Sequence, residues 1–495
     1  MLNISRDSAE NEELSRNHSC PNIRITDSEQ YFDTNLTTSA SIDSFEMSDA
    51  LISQSENSTI GLNVSLSPTP SRLTPCPTCP EMLKSPLAII LVGLPAHGKT
   101  YLATRLCGYL HWIGCKTKVF NFGEYRRKHV GRQTAEFFDP DNEVAKSLRM
   151  DFVRKALDDA MSYIHNESGE IVILDATNST RERRTIISEC LDKHGVDKLF
   201  IELISDDEDI VKENIKNVKV NSVDYKDTDP DEAWRDFMKR LENYKRAYEG
   251  MSEVLDKHLA FIKFINMGER VQTNRIRGTV HSRIVYFLMN LNIRTQRAIY
   301  ITRHGESEYN ESQKLGGNAP LSERGVEYSV KLKEFFDNID LKDDFEVWTS
   351  HMVRTKQTAI HLEDKYCVVS WTALNEIDAG IGDGMTYEEF QGLYPKDFEL
   401  RKKNKLKYRY PMGESYEDVV MRLEPLIMEL ERRENDILII CHQAVMRCIM
   451  AYLSHAALDD MPHMRCDLHT VVKIVPGAYK NTISKFKIDA NPNKT

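Results

Sequence analysis

The chain has 495 residues, of which 41% are hydrophobic and 28% are charged, as is typical of a soluble globular protein with roughly three domains of about 150 residues. Acidic residues outnumber basic ones by 76 to 65, and the resulting net charge of -11 argues against a protein that coats nucleic acid. We expect a cytoplasmic protein without a membrane partner, because no apolar run reaches the ~18 residues of a membrane span, no secretory signal is visible and the cysteines are irregularly spaced.

Residues 1–85 form a segment rich in Ser, Thr and Asn and poor in aromatic residues. Such a segment cannot bury enough apolar surface to fold, so we expect a disordered tail. It ends in a Pro-rich linker at 65–80 with Ser-Pro or Thr-Pro pairs at 67–68, 69–70 and 74–75. Regulatory protein kinases are candidate partners for these sites. The alternative is that a long Ser/Thr-rich segment contains such pairs by chance.

Strand and helix patterns alternate from Ser85 onward. Apolar runs that fit buried parallel strands lie at 87–92, 118–122, 171–174 and 199–204, and helical stretches separate them. Alternation of this kind predicts a mostly parallel sheet with helices on both faces. The pattern fades near Gly268.

A second set of strands follows a helical stretch at 275–291. The strands are predicted at 298–302, 346–349, 368–371 and 437–441, with helices near 325–337, 354–364 and 416–433. We therefore expect two unlike α/β domains, at 86–295 and 296–480, between an N-terminal tail at 1–85 and a C-terminal tail at 481–495. Sites in the two domains would then lie on different cores.

The segment from Gly93 to Thr100 fits the phosphate-binding pattern GxxxxGK[ST], and it lies between the first predicted strand and a helical run at 101–112. Its backbone N–H groups can wrap around a phosphate, Lys99 can reach the β- and γ-phosphates, and Thr100 can bind Mg²⁺. Asp175 ends another predicted strand, as the carboxylate partner of Mg²⁺ usually does. The alternative for Asp175 is an ordinary cap of the next helix.

Basic residues are frequent in this half of the chain. Arginine favours bidentate contacts with phosphate, so their number suggests a phosphorylated acceptor, although spacing alone does not select among them. The residues are Arg126, Arg127, Arg149, Arg181, Arg183, Arg184, Lys219 and Arg240.

Two histidines follow predicted strands of the second half: His304, within Arg303-His-Gly-Glu, and His442. Because the carboxyl ends of parallel strands meet at one edge of a sheet, the two imidazoles can face each other there. A neutral imidazole can attack phosphorus while Arg303 and Arg354 balance the charge of the transferring phosphoryl group. Glu376 is a candidate proton donor to the leaving oxygen.

From residue 87 to residue 479 the chain resembles the bifunctional 6-phosphofructo-2-kinase/fructose-2,6-bisphosphatase family. The likeness is carried by the P-loop and by the segments KVFNFGEYRR at 118–127, FDPDN at 138–142, DATNSTRERR at 175–184, RHGE at 303–306 and YPMGESY at 410–416. It implies a P-loop kinase domain that moves the γ-phosphoryl group of ATP to O2 of fructose 6-phosphate, with Mg²⁺. It also implies a phosphoglycerate-mutase-like histidine phosphatase domain that removes this group, a role in controlling glycolysis and gluconeogenesis, and a homodimer.

The resemblance further implies roles for single residues. ATP would be bound by Gly93, Leu94, Pro95, Ala96, His97, Gly98, Lys99, Thr100, Tyr101, Asn214 and Lys219. Fructose 6-phosphate would be held by Arg126, Arg149, Thr177, Arg183, Lys219, Arg240 and Tyr244, with Asp175 as the catalytic acid residue. His304 would become the phosphohistidine, with Glu376 as proton donor and His442, Arg303 and Arg354 as stabilisers. The bisphosphate pocket would be lined by Asn310, Gly316, Tyr387, Arg401, Lys405, Tyr416, Gln443 and Arg447.

Two residues depart from the family pattern. Ser205 stands in the kinase site where many relatives have a cysteine, and a hydroxyl is harder and less acidic than a thiol, so kinase affinity or rate could be lower. His97 replaces a P-loop arginine, and we expect a modest effect because its side chain can point away from the phosphate. Ser205 leaves open a phosphatase whose weakened kinase domain serves as a scaffold. A mutase-like enzyme and a catalytically silent sensor are the further alternatives.

Overall fold

The computed structural model describes residues 83–216, 224–225, 228–292, 297–342, 344–477 and 481–490, which belong to one compact unit. The linker at 65–80 and Lys219 lie outside the described residues, and so does the predicted tail apart from its last few positions. Within the described ranges, no helix is both long enough and apolar enough to cross a membrane.

The sheet of the N-terminal half consists of β1 (Leu87–Val92), β2 (Thr117–Asn121), β3 (Ile171–Asp175), β4 (Asp197–Ile204), β5 (Phe261–Ile265) and β6 (Arg270–Asn274). The strand order is β2-β3-β1-β4-β5-β6, and all neighbours are parallel except β5 and β6. Every residue of the central strand β1 is buried, as expected for a parallel strand that is covered on both faces.

The helices of this half are α1 (Lys99–Trp112), α2 (Phe122–Val130), α3 (Glu143–Asn166), α4 (Arg181–Lys193), α5 (Glu208–Asn214), α6 (Pro230–Arg246) and α7 (Thr279–Asn290), with 3₁₀ turns at Ala135–Phe138 and Asn266–Gly268. Alternate residues of β1 pack into two different apolar clusters. Ile89 packs in the same cluster as residues of α1, whereas Ile90 packs in the same cluster as residues of α3. Helices therefore cover both faces, as predicted.

The sheet of the C-terminal half consists of β7 (Ile299–Arg303), β8 (Glu346–Thr349), β9 (Cys367–Ser370), β10 (Ile437–Cys441), β11 (Thr470–Val475) and β12 (Thr482–Lys487). The strand order is β12-β11-β7-β10-β8-β9. Strands β7 to β10 are parallel, whereas β11 is antiparallel to both β7 and β12. The parallel pair β7 and β10 therefore lies at the centre of the sheet.

The helices of the C-terminal half are α8 (Glu308–Glu311), α9 (Glu323–Asp337), α10 (Val353–Ala359), α11 (Tyr387–Leu393), α12 (Pro395–Lys403), α13 (Tyr416–Arg432) and α14 (Gln443–Ser454), with 3₁₀ turns at Ile360–Leu362, Thr372–Leu374, Gly380–Gly382 and Met461–His463. Reciprocal capping explains where α13 begins. The Ser415 hydroxyl accepts the backbone N–H of Asp418, and the Asp418 carboxylate accepts the backbone N–H of Ser415.

The predicted strands are all present, with ends shifted by at most two residues. The two mostly parallel sheets confirm the expected α/β class. The sequence did not predict β5, β6, β11 or β12. Strand β12 lies within the segment from 481 that was expected to be a C-terminal tail. All of its residues are exposed, so its sequence has no alternation of buried apolar residues from which a strand could be predicted.

The expectation that the two halves have different cores is wrong. One apolar cluster contains Leu102 and Leu106 of α1 together with Leu423 and Ile427 of α13 and Ile449 of α14. Helix α1, which begins at the P-loop, thus packs directly against helices of the C-terminal half. Apolar pattern marks a residue as buried but does not show which element covers it, so the sequence could not predict this shared core.

Candidate active sites

The two predicted histidines lie side by side at the carboxyl edge of the second sheet. Arg303, the last residue of β7, pairs with Cys441, the last residue of β10, so His304 and His442 both follow directly after paired strand ends. Their ring centroids are 5.0 Å apart, and both side chains are buried. The parallel register therefore produces the predicted histidine pair.

The hydrogen bonding of His304 fixes which ring nitrogen carries the proton. Its Nδ1 lies 2.6 Å from the carbonyl oxygen of Gly305, and a carbonyl can only accept, so Nδ1 carries the proton. The Nε2 lone pair is then free to act as a nucleophile. Burial, reinforced by Arg354 and Arg303, lowers the pKa of His304 well below its usual value, so the ring is neutral near pH 7.

His442 is held in the opposite tautomer. Arg354 Nε donates to His442 Nδ1 at 3.2 Å, so Nε2 carries the proton and faces Ser350 Oγ at 2.8 Å. Burial and then Arg354 lower the pKa of His442 well below its usual value. Arg354 also donates to the carbonyl oxygen of Gly317 at 2.8 Å, which fixes its guanidinium beside the two histidines. Sequence reasoning identified His442 and Arg354 but missed Ser350.

Glu376 lies at the N-terminus of α14, the helix that follows His442. Its carboxyl oxygens accept the backbone N–H groups of Gln443 at 3.0 Å and Ala444 at 3.1 Å. A third N–H, that of Ile377, lies 3.0 Å from the same carboxyl group. The helix N-terminus therefore orients the predicted proton donor at the edge that carries the histidines.

These side chains open into a cavity of about 310 Å³. The predicted residues that line it are Arg303, His304, Asn310, Gly316, Arg354, Glu376, Tyr387, Arg401, Lys405, Tyr416, Gln443 and Arg447. The whole predicted bisphosphate set therefore lines one cavity. His442 does not line this cavity itself, but it adjoins the His304 ring and accepts a hydrogen bond from Arg354, which both do. Sequence reasoning missed further lining residues: Ser307, Tyr309, Gln313, Lys314, Leu315, Ile377, Ala379, Tyr408, Tyr410 and Ala444.

A second cationic group lines the same cavity, made of Arg401, Lys405 and Arg447. Arg401 donates to the hydroxyl of Tyr410 at 2.6 Å, and Arg447 donates to that of Tyr416 at 3.0 Å. Burial, together with Arg447 and Arg401, lowers the pKa of Lys405 to about 8. Three cationic side chains that line one cavity fit a negatively charged ligand.

Gly316 must be glycine for a local reason. Its φ of +62° is in the left-handed region, and a Cβ there would lie 1.8 Å from the carboxylate Oδ1 of Asp383. That carboxylate accepts the backbone N–H of Gly317 at 2.5 Å. Asp383 thereby shapes the loop that bonds Arg354, and nothing in the sequence signals this role.

The predicted phosphate-binding loop connects β1 to α1. Gly93 has a φ of +141°, and a Cβ there would lie 2.6 Å from the backbone oxygen of Leu203. Gly98 precedes α1 in the left-handed region, at a φ of +79°. Lys99 Nζ donates to the carbonyl oxygen of Leu94 at 2.6 Å and so folds back over the loop. The geometry is that of a loop whose N–H groups and helix N-terminus can receive a phosphate.

Asp175 lies at the same edge of the first sheet. It is the buried last residue of β3, next to β1, and it accepts from Asn121 Nδ2 at 2.5 Å. Thr180, not Asp175, caps α4, which removes the alternative that Asp175 is an ordinary helix cap. No cluster of three or more His, Cys, Asp or Glu side chains that could hold a metal occurs within the described ranges. Thr100 and Asp175 fit Mg²⁺, which commonly takes one or two carboxylates and completes its shell with phosphate and water oxygens.

The predicted sugar-phosphate residues form a cationic cluster around two phenylalanines. Arg126 donates to both carboxylate oxygens of Asp224, at 2.8 Å and 2.6 Å, and Arg240 lies 3.6 Å from the same carboxylate. The Arg240 guanidinium lies 3.8 Å from the ring centroid of Phe138, and Tyr244 also packs against that ring. Burial alone would raise the pKa of Asp224, but the surrounding arginines hold it below its usual value.

Two more arginines adjoin this cluster. Arg149 donates to the carbonyl oxygen of Phe137. Burial lowers the pKa of Arg183 to about 10; Tyr244 opposes this shift, whereas the charge of Arg149 adds to it. Arg126, Arg183 and Arg240 each retain a buried N–H group without a hydrogen-bond partner among the described residues. Several arginines with such N–H groups in one cluster are suited to bind an anionic ligand.

The remaining predicted kinase residues are more dispersed. Asn214 Nδ2 donates to the carbonyl oxygen of Ala96 at 3.3 Å, and the carbonyl oxygen of Thr177 accepts the Gly93 N–H at 3.0 Å, so both residues contact the loop. Ser205 Oγ lies 3.4 Å from the carbonyl oxygen of Asp207. Tyr101 was predicted to bind ATP together with the loop residues, but its side chain packs against the shared apolar core beside Arg105.

The His97 side chain is buried within its own loop. Its Nδ1 lies 2.9 Å from the carbonyl oxygen of Pro95, and burial lowers its pKa to about 4. The ring is therefore neutral near pH 7 and adds no charge to the phosphate-binding loop. An arginine at this position would add one, which is the chemical consequence of the departure noted in the sequence.

Comparison with known proteins assigns both halves. Residues 75–295 match the family model described as 6-phosphofructo-2-kinase, and residues 299–489 match that of the histidine phosphatase superfamily (branch 1). The chain is 50% identical over 400 residues to 6-phosphofructo-2-kinase/fructose-2,6-bisphosphatase 1 of Mus musculus, covering 81% of this chain and 84% of that protein. It is 48% identical over 402 residues to 6-phosphofructo-2-kinase/fructose-2,6-bisphosphatase 3 of Rattus norvegicus, covering 81% and 72%.

Among solved structures, the alpha-ribazole phosphatase from Shigella flexneri aligns with a TM-score of 0.35 and 21% identity, covering 39% of this chain and 96% of that one. The two curated relatives, which match along most of their own length, show the family. This chain belongs to the 6-phosphofructo-2-kinase/fructose-2,6-bisphosphatase family.

Proposed function

We propose that this chain synthesises fructose 2,6-bisphosphate from ATP and fructose 6-phosphate and hydrolyses it through a phosphohistidine on His304. The observation that carries the proposal is the cavity of the second half, where the neutral His304, backed by His442, and two arginines line one space with a second cationic group. A substrate with two phosphates matches two such groups. Matches to both family domains support this function over that of a phosphatase with a scaffold kinase domain.

In hydrolysis, the Nε2 lone pair of His304 attacks the 2-phosphoryl phosphorus, and the bond between phosphorus and O2 of the sugar breaks. Glu376 supplies the proton that O2 needs, and fructose 6-phosphate leaves. Arg303, Arg354 and His442 stabilise the charge on the transferring group. A water molecule then takes the phosphoryl group from His304 and releases inorganic phosphate. Arg401, Lys405 and Arg447 hold the 6-phosphate during both steps.

In synthesis, O2 of fructose 6-phosphate attacks the γ-phosphorus of ATP, and the arginine cluster around Phe138 holds the sugar phosphate. Asp175 orients the attacking hydroxyl and accepts its proton, while Lys99 and the backbone of the Gly93–Thr100 loop hold the nucleotide phosphates. Thr100 and Asp175 would hold Mg²⁺, which would neutralise charge on the nucleotide phosphates. Lys219 belongs to this proposal only through the family resemblance.

The cellular setting completes the proposal. An enzyme that makes and removes fructose 2,6-bisphosphate would control the balance of glycolysis and gluconeogenesis from the cytoplasm. We further propose that the chain is a homodimer and that regulatory protein kinases act on its N-terminal segment. These last proposals rest on the family resemblance and on the Ser-Pro and Thr-Pro pairs of the sequence.

Two crossed variants test the proposal. His304→Ala should abolish acid-labile ³²P labelling of the protein by 2-³²P-labelled fructose 2,6-bisphosphate, while synthesis continues. Lys99→Ala should abolish synthesis and leave labelling and hydrolysis intact. Unchanged hydrolysis in His304→Ala, or unchanged synthesis in Lys99→Ala, would refute the corresponding assignment.

A further inference from the structure

One peptide group lies between the nucleophilic histidine and a second buried histidine. The carbonyl oxygen of Gly305 accepts the Nδ1–H of His304 at 2.6 Å. The N–H of the same peptide, which belongs to Glu306, donates to Nε2 of His469 at 3.2 Å. Since the two ends of a trans peptide point in opposite directions, the three groups form a continuous series of hydrogen bonds.

The backbone around this peptide is fixed at every polar atom. The Gly305 N–H donates to the Thr358 hydroxyl at 2.9 Å, and the Glu306 carbonyl oxygen accepts the backbone N–H of Ser322 at 2.9 Å. Gly305 also packs closely on Gly325, because a Cβ on Gly305 would lie 2.6 Å from the Gly325 carbonyl oxygen. The peptide therefore has little room to rotate unless one of its partners is removed.

His469 is held as a neutral ring that accepts a hydrogen bond at Nε2. Its ring is buried and stacks on Tyr328, with ring centroids 4.7 Å apart and planes 24° apart. Burial, reinforced by Arg324 and Arg303, lowers the pKa of His469 to about 4. The ring is therefore neutral near pH 7, and Nε2, which accepts from Glu306, carries no proton.

We propose that His469 is a positioning residue that holds His304 in its Nδ1–H tautomer by fixing the peptide between Gly305 and Glu306. The inference deepens the proposed function, on which it rests, because it concerns the same nucleophile. Without an acceptor at 469, the Glu306 N–H would be buried and unpaired, and the peptide could rotate to find another partner. His304 would then lose the carbonyl oxygen that fixes its tautomer. In the Nε2–H tautomer, Nε2 carries the proton and therefore has no lone pair with which to attack phosphorus.

Two amide variants of different length separate positioning from packing. His469→Gln can place its carbonyl oxygen near the position of Nε2 and keep an acceptor for Glu306. His469→Asn is too short to do so, although asparagine suits the left-handed backbone at this position, where φ is +55°. Tyr328→Phe is the matched control, because it keeps the stacked ring and removes only a hydroxyl that bonds Thr302.

The first measurement is long-range ¹H–¹⁵N correlation of the histidine rings in the full-length protein without ligand. We expect His304 as the Nδ1–H tautomer in the wild type, His469→Gln and Tyr328→Phe, and a mixture of tautomers in His469→Asn. The wild-type spectrum alone tests the premise even if a variant does not fold. A wild-type His304 with its proton on Nε2, or an unchanged tautomer in His469→Asn, would overturn the proposal.

The second measurement is the single-turnover rate of ³²P transfer from fructose 2,6-bisphosphate to the protein. We expect about a tenfold loss in His469→Asn, with KM nearly unchanged and with recovery in His469→Gln. Equal loss in both amide variants would reduce His469 to a packing role and overturn the proposal. Failure of the wild type to label His304 would instead contradict the proposed function. The tautomer measurement needs no turnover, so it would still test whether His469 fixes the His304 ring.

Discussion

At the scale of single residues, burial decides the chemistry of the phosphatase site. His304 and His442 are neutral because the sheet edge excludes water and because two arginines disfavour a further positive charge. The order of motifs in the sequence was enough to identify both histidines, Arg303 and Arg354. Ser350, Asp383 and His469 were not found, because they act through hydrogen bonds to those residues and belong to no chemical motif of their own.

Arg354 is a further residue whose loss should separate the two activities. It contacts His442 and the Gly317 carbonyl oxygen, and it lies on the cavity wall. Arg354→Ala should lower the rate of fructose 2,6-bisphosphate hydrolysis by about 10²–10³-fold, the usual loss for one preorganised donor to the transition state. Synthesis should be unaffected. Steady-state assays of both reactions check this, and equal loss of both would show that the variant perturbs folding.

His97 should make stability depend on pH. The folded pKa of about 4 lies below the unfolded value of ~6.5, so this histidine contributes stability above pH 6.5 that is lost as the pH falls toward 4. His97→Gln removes the titrating group and should flatten the fall of the urea midpoint across that window. Urea titrations at constant ionic strength, from pH 7 to pH 5, provide the comparison. An identical pH dependence in the variant would show that His97 is not buried as described.

At the scale of elements, prediction from sequence worked where a strand is both buried and followed by a motif. β1, β3, β7 and β10 are apolar runs of this kind, and they carry the sites. The missed strands lack one of these signals. β6 and β12 are edge strands with mainly exposed residues, and β5 has a lysine in the middle of its apolar run.

Helix α1 joins the halves through a buried ionic group as well as through apolar packing. Arg105 pairs with Glu431 of α13, which also accepts from the Tyr452 hydroxyl of α14 at 2.7 Å. Trp112 Nε1 donates to the carbonyl oxygen of Cys448 at 2.9 Å. Helix α1 begins at the P-loop and α14 begins directly after His442, so the two sites stand at the starts of two helices in contact.

Glu431→Gln should therefore destabilise the protein strongly. The variant leaves the Arg105 charge buried without its partner, a change that typically costs about 3–5 kcal/mol. Urea unfolding followed by fluorescence measures the loss. Glu334→Gln serves as a control, because Glu334 pairs with Lys331 on the exposed face of α9 and its loss should leave the midpoint unchanged. Equal, small shifts in both variants would contradict the structural importance of the Arg105–Glu431 pair.

At the scale of the whole molecule, two chemistries occupy separate sheets on a shared core. The sequence revealed the sheets and the motifs at their edges, because both depend on local pattern. It did not reveal that α1 and α7 pack on α13, since which apolar faces meet is decided by the folded chain. The sites are chemically separate, but the halves that carry them are not independent bodies.

The central claim is that one chain both makes and removes fructose 2,6-bisphosphate. A paired assay on the purified full-length protein tests it: one reaction follows formation of the bisphosphate from Mg-ATP and fructose 6-phosphate, and the other follows its hydrolysis without ATP. We predict turnover in both directions, which would make Ser205 a tolerated substitution. Hydrolysis without synthesis would contradict the account and favour a scaffold kinase domain, with Ser205→Cys as the variant that should then restore synthesis.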